Sequence, residues 1–228
     1  MAEQFELRER EIFRIFEKIK KFSKIVLVGG YALNAYTEFP RFSVDCDLVV
    51  QDGNNTLNIL TILKKEKFKT IEEQESFVRL ERRIDNSKVG IDLLIGKIID
   101  RLSGIVFEFS DIFQESKIME LVAKSNPELK TNFRVASPEV LFLMKFASLR
   151  KQDIRDIFML SSHKLNKSKI KNLIKKHFSD TLFNARKEEL KKLMMSKGFT
   201  NSLQGVYGKL PEEFVEKNKR LVMTFVNF

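Results

Sequence analysis

An apolar run, Ile25-Val26-Leu27-Val28, stops at the pair Gly29-Gly30. After a short spacer comes a stretch, residues 42–50, in which apolar and polar side chains alternate. The run halted by glycine predicts a short buried strand ending in a turn. Period-two alternation predicts a second strand with one buried face made by Phe42, Val44, Cys46, Leu48 and Val50. Asp45 and Asp47 then share a face with Ser43, the two aspartate alpha carbons about 6.7 Å apart by the rise of an extended chain. Two carboxylates held that close repel, and a cation relieves the repulsion; ligands made only of oxygen suit Mg²⁺ or Mn²⁺. The same D-x-D spacing also occurs on solvated strand edges, so the pair needs support from elsewhere in the chain.

Gly29-Gly30 gives part of that support. Glycines after a strand let backbone N–H groups approach an anion, and the helix expected from Tyr31 to Thr37 adds a favourable dipole. The pair therefore outlines a phosphate cradle as well as a tight turn. A hydroxyl at Ser43 could bind a phosphate oxygen, and Arg41 could do the same or pair with the carboxylates. Asp92 stands alone as a charge inside Val89-Gly90-Ile91-Asp92-Leu93-Leu94-Ile95, where a buried carboxylate needs a partner. If its strand lies beside that of Asp45, Asp92 reaches the same cation, to hold it or to deprotonate an attacking hydroxyl. The alternative is a salt bridge to Arg79, Arg82 or Arg83 across a hairpin. Residues 77–84 and 89–95 would form its strands, and Asp85-Asn86-Ser87-Lys88 its loop.

The remaining pattern predicts an α+β chain in two domains. Residues 5–22 place Ile12, Phe16, Ile19 and Phe22 at helical spacing, and residues 57–65 predict a helix with Leu57, Leu60 and Leu63 on one stripe. Between residues 99 and 134 the pattern is poor, with short strands expected over 117–122 and 133–136. Ser137-Pro138-Glu139 is a helix start, with serine as the cap and proline in the first turn. Helices are expected beyond it over 139–150, 153–162, 167–178, 181–195 and 211–225, with a glycine-bearing, loop-like break over 197–210. The expected domains are residues 1–136, a sheet with flanking helices, and residues 137–228, a basic helical bundle completing the cleft.

At 228 residues and 43% hydrophobic, the chain has enough apolar material for proper cores. Its apolar stretches fall far short of the roughly 20 residues of a bilayer span, and the charged start does not read as a secretory signal. Cys46 alone forms no intrachain disulfide or multi-cysteine zinc site, which makes a reducing cytoplasm the expected location. Residues 161–228 hold 15 lysines and arginines against 6 acidic residues, so nearly all of the net charge of +10 lies there. Such a block attracts polyanions, nucleic acid above all, or forms a solvated helical surface. His163 and His177 have no companion at metal-ligand spacing, Cys46 reads as core, and the 21 phenylalanines read as bulk packing.

An apolar strand, a glycine pair, D-x-D and a third carboxylate on a later strand resemble the polymerase-β-like nucleotidyltransferase superfamily. The fuller pattern is Gly29-Gly30-Tyr31-Ala32-Leu33, then Arg41, Ser43, Asp45 and Asp47. It resembles the AbiEii branch of abortive-infection and toxin–antitoxin nucleotidyltransferases. That branch carries a lysine followed by K-D-x-x-D in its helical part. Lys145 and Gln152-Asp153-Ile154-Arg155-Asp156 fit it, with Gln152 in place of the motif lysine and Lys151 one position early.

The resemblance implies a mixed nucleotidyltransferase sheet flanked by helices, and a transfer of NMP from an NTP to an acceptor hydroxyl. It implies Asp45, Asp47 and Asp92 as ligands of Mg²⁺ or Mn²⁺, and Gly29, Gly30, Arg41 and Ser43 as the nucleotide site. Lys145 would contact phosphates or the base, with Asp153 orienting it or facing the metal site, unless Lys145 is simply solvated at a charged helix end. The basic C-terminal third favours an RNA acceptor, and the branch suggests tRNA and a cognate antitoxin. The other readings are transfer to a small molecule such as an aminoglycoside, transfer to a protein side chain, and a partner-binding protein that keeps the fold without catalysis.

Overall fold

The structure is a computed structural model that describes residues 2–227. The chain packs into two compact units. One holds the residues up to 35, 42–98 and 107–137; the other holds 36–41, 99–106 and the residues from 138 on.

The first unit opens with helix α1 (Ala2–Ile19), strand β1 (Ile25–Val28) and the short helix α2 (Gly29–Asn34). Strand β2 (Asp45–Val50), helix α3 (Asn54–Lys65) and strands β3 (Lys69–Gln74), β4 (Phe77–Ile84) and β5 (Ser87–Ile95) follow. A two-stranded ribbon, β6 (Lys97–Ile99) with β7 (Val106–Glu108), precedes helix α4 (Phe109–Gln114) and strands β8 (Ser116–Val122) and β9 (Lys130–Ala136). Seven strands form one mixed sheet in the order β3-β4-β5-β2-β1-β9-β8. The β2–β5 and β1–β9 pairs are parallel and the others antiparallel.

Residues paired in register lie on the same face of a sheet. Cys46 and Leu48 therefore share a face with Ile91 and Leu93, and all four are buried. Helix α1 covers that face. Its stripe Ile12, Phe16 and Ile19 is fully buried, Phe16 packs on Phe133 of β9 and on Tyr31, and Glu11 accepts a hydrogen bond from Arg82 of β4 at 2.6 Å. Asp45, Asp47 and Asp92 consequently lie on the opposite face.

Several local expectations differ from what forms. Strand β2 begins at Asp45, and Val44 is 56% exposed, because the ladders to β1 and β5 reach no further back. The buried stripe of α3 is Thr56, Ile59 and Leu63, while Leu57 faces solvent. The Thr56 hydroxyl donates to the Gln51 carbonyl at 3.1 Å, which sets the rotation of the helix from its first turn. The hairpin loop is only Asp85-Asn86: Ile84 already pairs with Ser87, and Asp85 takes a positive φ of 51°. Strand β3 had no counterpart in the pattern, since all six of its residues are exposed at the sheet edge.

The second unit contains α5 (Pro138–Ser148), α6 (Lys151–Leu160), α7 (Lys167–His177), α8 (Asp180–Met194), α9 (Lys197–Tyr207) and α10 (Glu212–Val226). Helix α9 replaces the expected loop. The Ser196 hydroxyl accepts from the Phe199 N–H, Phe199 and Leu203 are buried, and Phe199 meets Phe158 edge to face at 5.4 Å. Burial of these side chains outweighs the roughly 1 kcal/mol that each of Gly198 and Gly205 costs a helix relative to alanine. Gly208, at φ 71°, ends it. Among the described residues no helix is long and apolar enough to cross a membrane.

Phe16→Ala should remove the aromatic contact between α1, α2 and the sheet and destabilise the chain by about 3–5 kcal/mol, read as a lower urea midpoint.

Candidate active site

The parallel pairing of β2 with β5 places Asp47 directly beside Asp92 and Asp45 beside Gly90. The alpha carbons of Asp47 and Asp92 are thus about 4.8 Å apart, the spacing of neighbouring strands. On the other side of β2, Val28 pairs with Asp47, so the next residue, Gly29, turns against the aspartate. A Cβ built on Gly29 would lie 1.9 Å from Asp47 Oδ2, and Gly29 has a φ of 66°. Close approach and backbone conformation both demand glycine there. Rather than a free turn, Gly29-Gly30 forms the first turn of α2, which starts two residues before the expected position. Ser43 is buried, and its hydroxyl donates to the Asp45 carbonyl at 3.1 Å.

Arg79, on β4 opposite Asp92, occupies the middle of this acidic face. Its Nη2 lies 2.9 Å from Asp45 Oδ1, its Nη1 3.6 Å from Asp92 Oδ2, and its Nε 3.4 Å from Glu81 Oε1. Burial alone would lower its pKa; the charges of Asp92, Asp45 and Glu81 outweigh that and raise it. Cys46, on the buried face between the two aspartates, has its thiol pKa pushed well up, by burial first and then by Asp47, Asp92 and Asp45. Among the described residues no three His, Cys, Asp or Glu side chains stand in a group that could hold a metal ion as they are placed. Asp45 is turned toward Arg79 instead. The donor set nevertheless fits a hard divalent cation: the carboxylates of Asp45, Asp47, Glu81 and Asp92 lie on one face, with the Arg79 guanidinium among them.

The second unit holds its own charged cluster. Arg41 is buried and donates from Nε and Nη2 to the two oxygens of Asp156, each at 2.9 Å, a bidentate pair. Of the roles open to Arg41, pairing with a carboxylate is the one present, and the carboxylate is Asp156. Lys145, in the last turn of α5, is buried as well, which corrects the reading of it as a solvated helix end. Its Nζ lies 3.0 Å from Asp153 Oδ1 and 2.9 Å from Asp156 Oδ2. Arg150 donates to Asp153 Oδ2 through both its backbone N–H and its Nε, capping α6.

Asp156 was no candidate by itself, although it closes the Gln152–Asp156 motif; its burial between two cations makes it the hub. Burial pushes its pKa up, but the Lys145 charge and the Arg41 hydrogen bond prevail and hold it below the usual carboxylate range. Lys145 shifts upward, the attraction of Asp156 and Asp153 prevailing over burial. Tyr207 of α9 is pushed up to about 12, by burial and then by the charge of Asp156. His163 packs edge to face on Tyr36, and His177 Nδ1 lies 3.2 Å from the Val106 carbonyl oxygen.

Against known proteins, the sequence profile of the nucleotidyl transferase AbiEii toxin of type IV toxin–antitoxin systems matches residues 11–219. The chain belongs to the AbiEii nucleotidyltransferase toxin family. Among solved structures, JHP933 from Helicobacter pylori resembles this AbiEii-family chain with a TM-score of 0.54 at 14% identity, over 96% of this chain and 89% of that one. A second solved structure from H. pylori, described as a nucleotidyltransferase by inference only, matches with a TM-score of 0.52 at 14% identity, over 96% and 92%. The lincosamide antibiotic adenylyltransferase LnuA matches with a TM-score of 0.46 at 19% identity, over 69% and 96%. The two H. pylori structures share the fold; identity that low carries nothing about substrate. No curated protein matches the sequence.

Asp156→Asn should leave two buried cations short of their shared counter-charge and destabilise the chain by about 3–5 kcal/mol. Because the folded pKa of Asp156 lies below its unfolded value of about 3.9, its contribution is complete above about pH 5 and drains away as pH falls through that range and below. Urea midpoints measured against pH should therefore fall less steeply in acid for the variant than for the wild type.

Proposed function

We propose that this AbiEii-family nucleotidyltransferase uses Mg²⁺ or Mn²⁺ to transfer NMP from an NTP to a hydroxyl of an RNA acceptor, tRNA-like in kind, and releases pyrophosphate. The observation that carries the reading is the register of β2 and β5, which sets Asp47 beside Asp92 with Asp45 on the same face. A divalent cation held by these three carboxylates supplies neutralisation of the triphosphate and activation of the attacking hydroxyl.

In this reading Gly29 and Gly30 leave the backbone beside Asp47 open to the triphosphate, with the Ser43 hydroxyl assisting. Lys145 offers an ammonium to a substrate phosphate; Asp153 and Asp156 fix its direction and keep it charged. Arg41 takes part through Asp156, holding the carboxylate that holds Lys145. The acceptor is read from the basic third of the chain, where Lys171, Lys175 and Lys176 of α7 and Lys191 and Lys192 of α8 are exposed. Exposed lysines in this density bind phosphates by releasing counterions. The type IV toxin–antitoxin family supports a cognate antitoxin, and the single cysteine supports a cytoplasmic location.

Incubation with each labelled NTP and total RNA, resolved on a gel, tests the activity. Label should enter RNA with Mg²⁺ and not with EDTA, and Asp47→Ala should reduce incorporation by about a hundredfold or more. Full metal-dependent incorporation by that variant would remove Asp47 from the site. Replacing Lys171, Lys175 and Lys176 together by alanine should reduce the slope of log affinity for RNA against log salt by about 2, near 0.7 per phosphate contact. An unchanged slope would point instead to a small-molecule or protein acceptor.

A further inference from the structure

We infer that Arg79 is the resident counter-ion of the aspartate face: it holds Asp45 turned across β5 until a divalent cation displaces it, and so sets the metal affinity of the site. The inference rests on the proposed role of the three aspartates as metal ligands.

The geometry has an uncommon requirement. Arg79 stands on β4 and Asp45 on β2, and β5 runs between them. Their side chains meet at 2.9 Å only by passing over β5 at Gly90, the residue paired with Asp45. A Cβ built on Gly90 would stand 2.4 Å from Asp45 Oδ1 and 3.6 Å from Arg79 Nη2. The backbone of Gly90 has no positive φ, so conformation does not call for glycine here. What requires it is the crossing of the ion pair, for which Gly90 provides a side-chain-free slot.

All three guanidinium nitrogens of Arg79 face carboxylates, and two of the three carboxylates are proposed metal ligands. A cation bound by Asp45 and Asp92 needs the oxygens that Arg79 now neutralises. The two modes therefore exclude one another at Asp45 Oδ1. Glu81, the third partner, is outside the proposed ligand set and keeps Arg79 tethered to β4 when Asp45 turns away. The exchange is open to solvent, since the side chains of Arg79 and Asp45 are 30% and 31% exposed, and a pair so exposed is weakly held.

Calorimetric titration of the full chain with MnCl₂, without nucleotide, tests this. Arg79→Gln should bind Mn²⁺ about tenfold more tightly than the wild type, because one competing charge is gone and the aspartates repel one another unrelieved. In an Asp45→Asn background the same substitution should change affinity by about threefold or less, because only the longer contact of Arg79 with Asp92 remains to compete. Equal or weaker binding by Arg79→Gln overturns the inference while leaving the aspartate site standing. No Mn²⁺ binding in either chain overturns both. If Arg79→Gln fails to fold, the wild type alone carries the test: Mg²⁺ should shift the Arg79 Nε–H resonance in ¹⁵N NMR, and a resonance unmoved at saturating Mg²⁺ contradicts displacement.

Discussion

Parallel pairing of β2 with β5, in the one register that aligns Asp47 with Asp92 and Cys46 with Ile91, underlies both the core and the candidate active site. Side chains alternate along each strand, so a slip of one residue would carry the aspartates into the apolar face and the core residues out of it. The register is therefore enforced by burial of Cys46, Leu48, Ile91 and Leu93 under α1, on the face away from the chemistry. Hydrophobic burial does the selecting, and the acidic face is its consequence. Two glycines then make room for the carboxylates: Gly29 against Asp47, and Gly90 under Asp45.

The helical unit is organised by charge to a degree uncommon in a buried place. Asp156, fully buried, accepts from Arg41 on both oxygens and from Lys145, while Asp153 takes the other side of Lys145 and caps α6 through Arg150. Arg41 precedes Asp45 by only four positions, yet it packs with the helices rather than with the sheet. Ion pairs desolvated this far add little net stability over apolar packing, but removing one partner is severe. Their value here is directional: the ammonium of Lys145 is held in one orientation by two carboxylates.

Much of this was legible in the chain. Strand β1 followed from the apolar run stopped by Gly29-Gly30, and the α5 start from Ser137-Pro138. For Asp92 a strand beside the D-x-D strand and an ion pair across the hairpin stood as alternatives, and both are present. What escaped has physical reasons. Strand β3 is exposed throughout and has no buried face to produce alternation. Helix α9 contains two glycines and is held by a serine cap and two buried side chains, a balance that local composition hides. The phase of α3 depends on a hydrogen bond from Thr56 to Gln51, and leucine spacing alone misplaced it. Arg79 was weighed as a partner for Asp92, whereas its closer contact is with Asp45, two strands away. Only the sheet order and the bare backbone of Gly90 reveal that contact.

In the proposed function Asp45, Asp47 and Asp92 hold a divalent cation for nucleotidyl transfer. Anomalous diffraction from crystals grown with Mn²⁺ and a non-hydrolysable NTP analogue tests it most directly. An Mn²⁺ peak is expected at about 2.0–2.2 Å from oxygens of Asp47 and Asp92, with the analogue's phosphates beside Gly29-Gly30 and Arg79 withdrawn from Asp45. A peak bound to other residues, with nucleotide density away from these aspartates, would rule the assignment out.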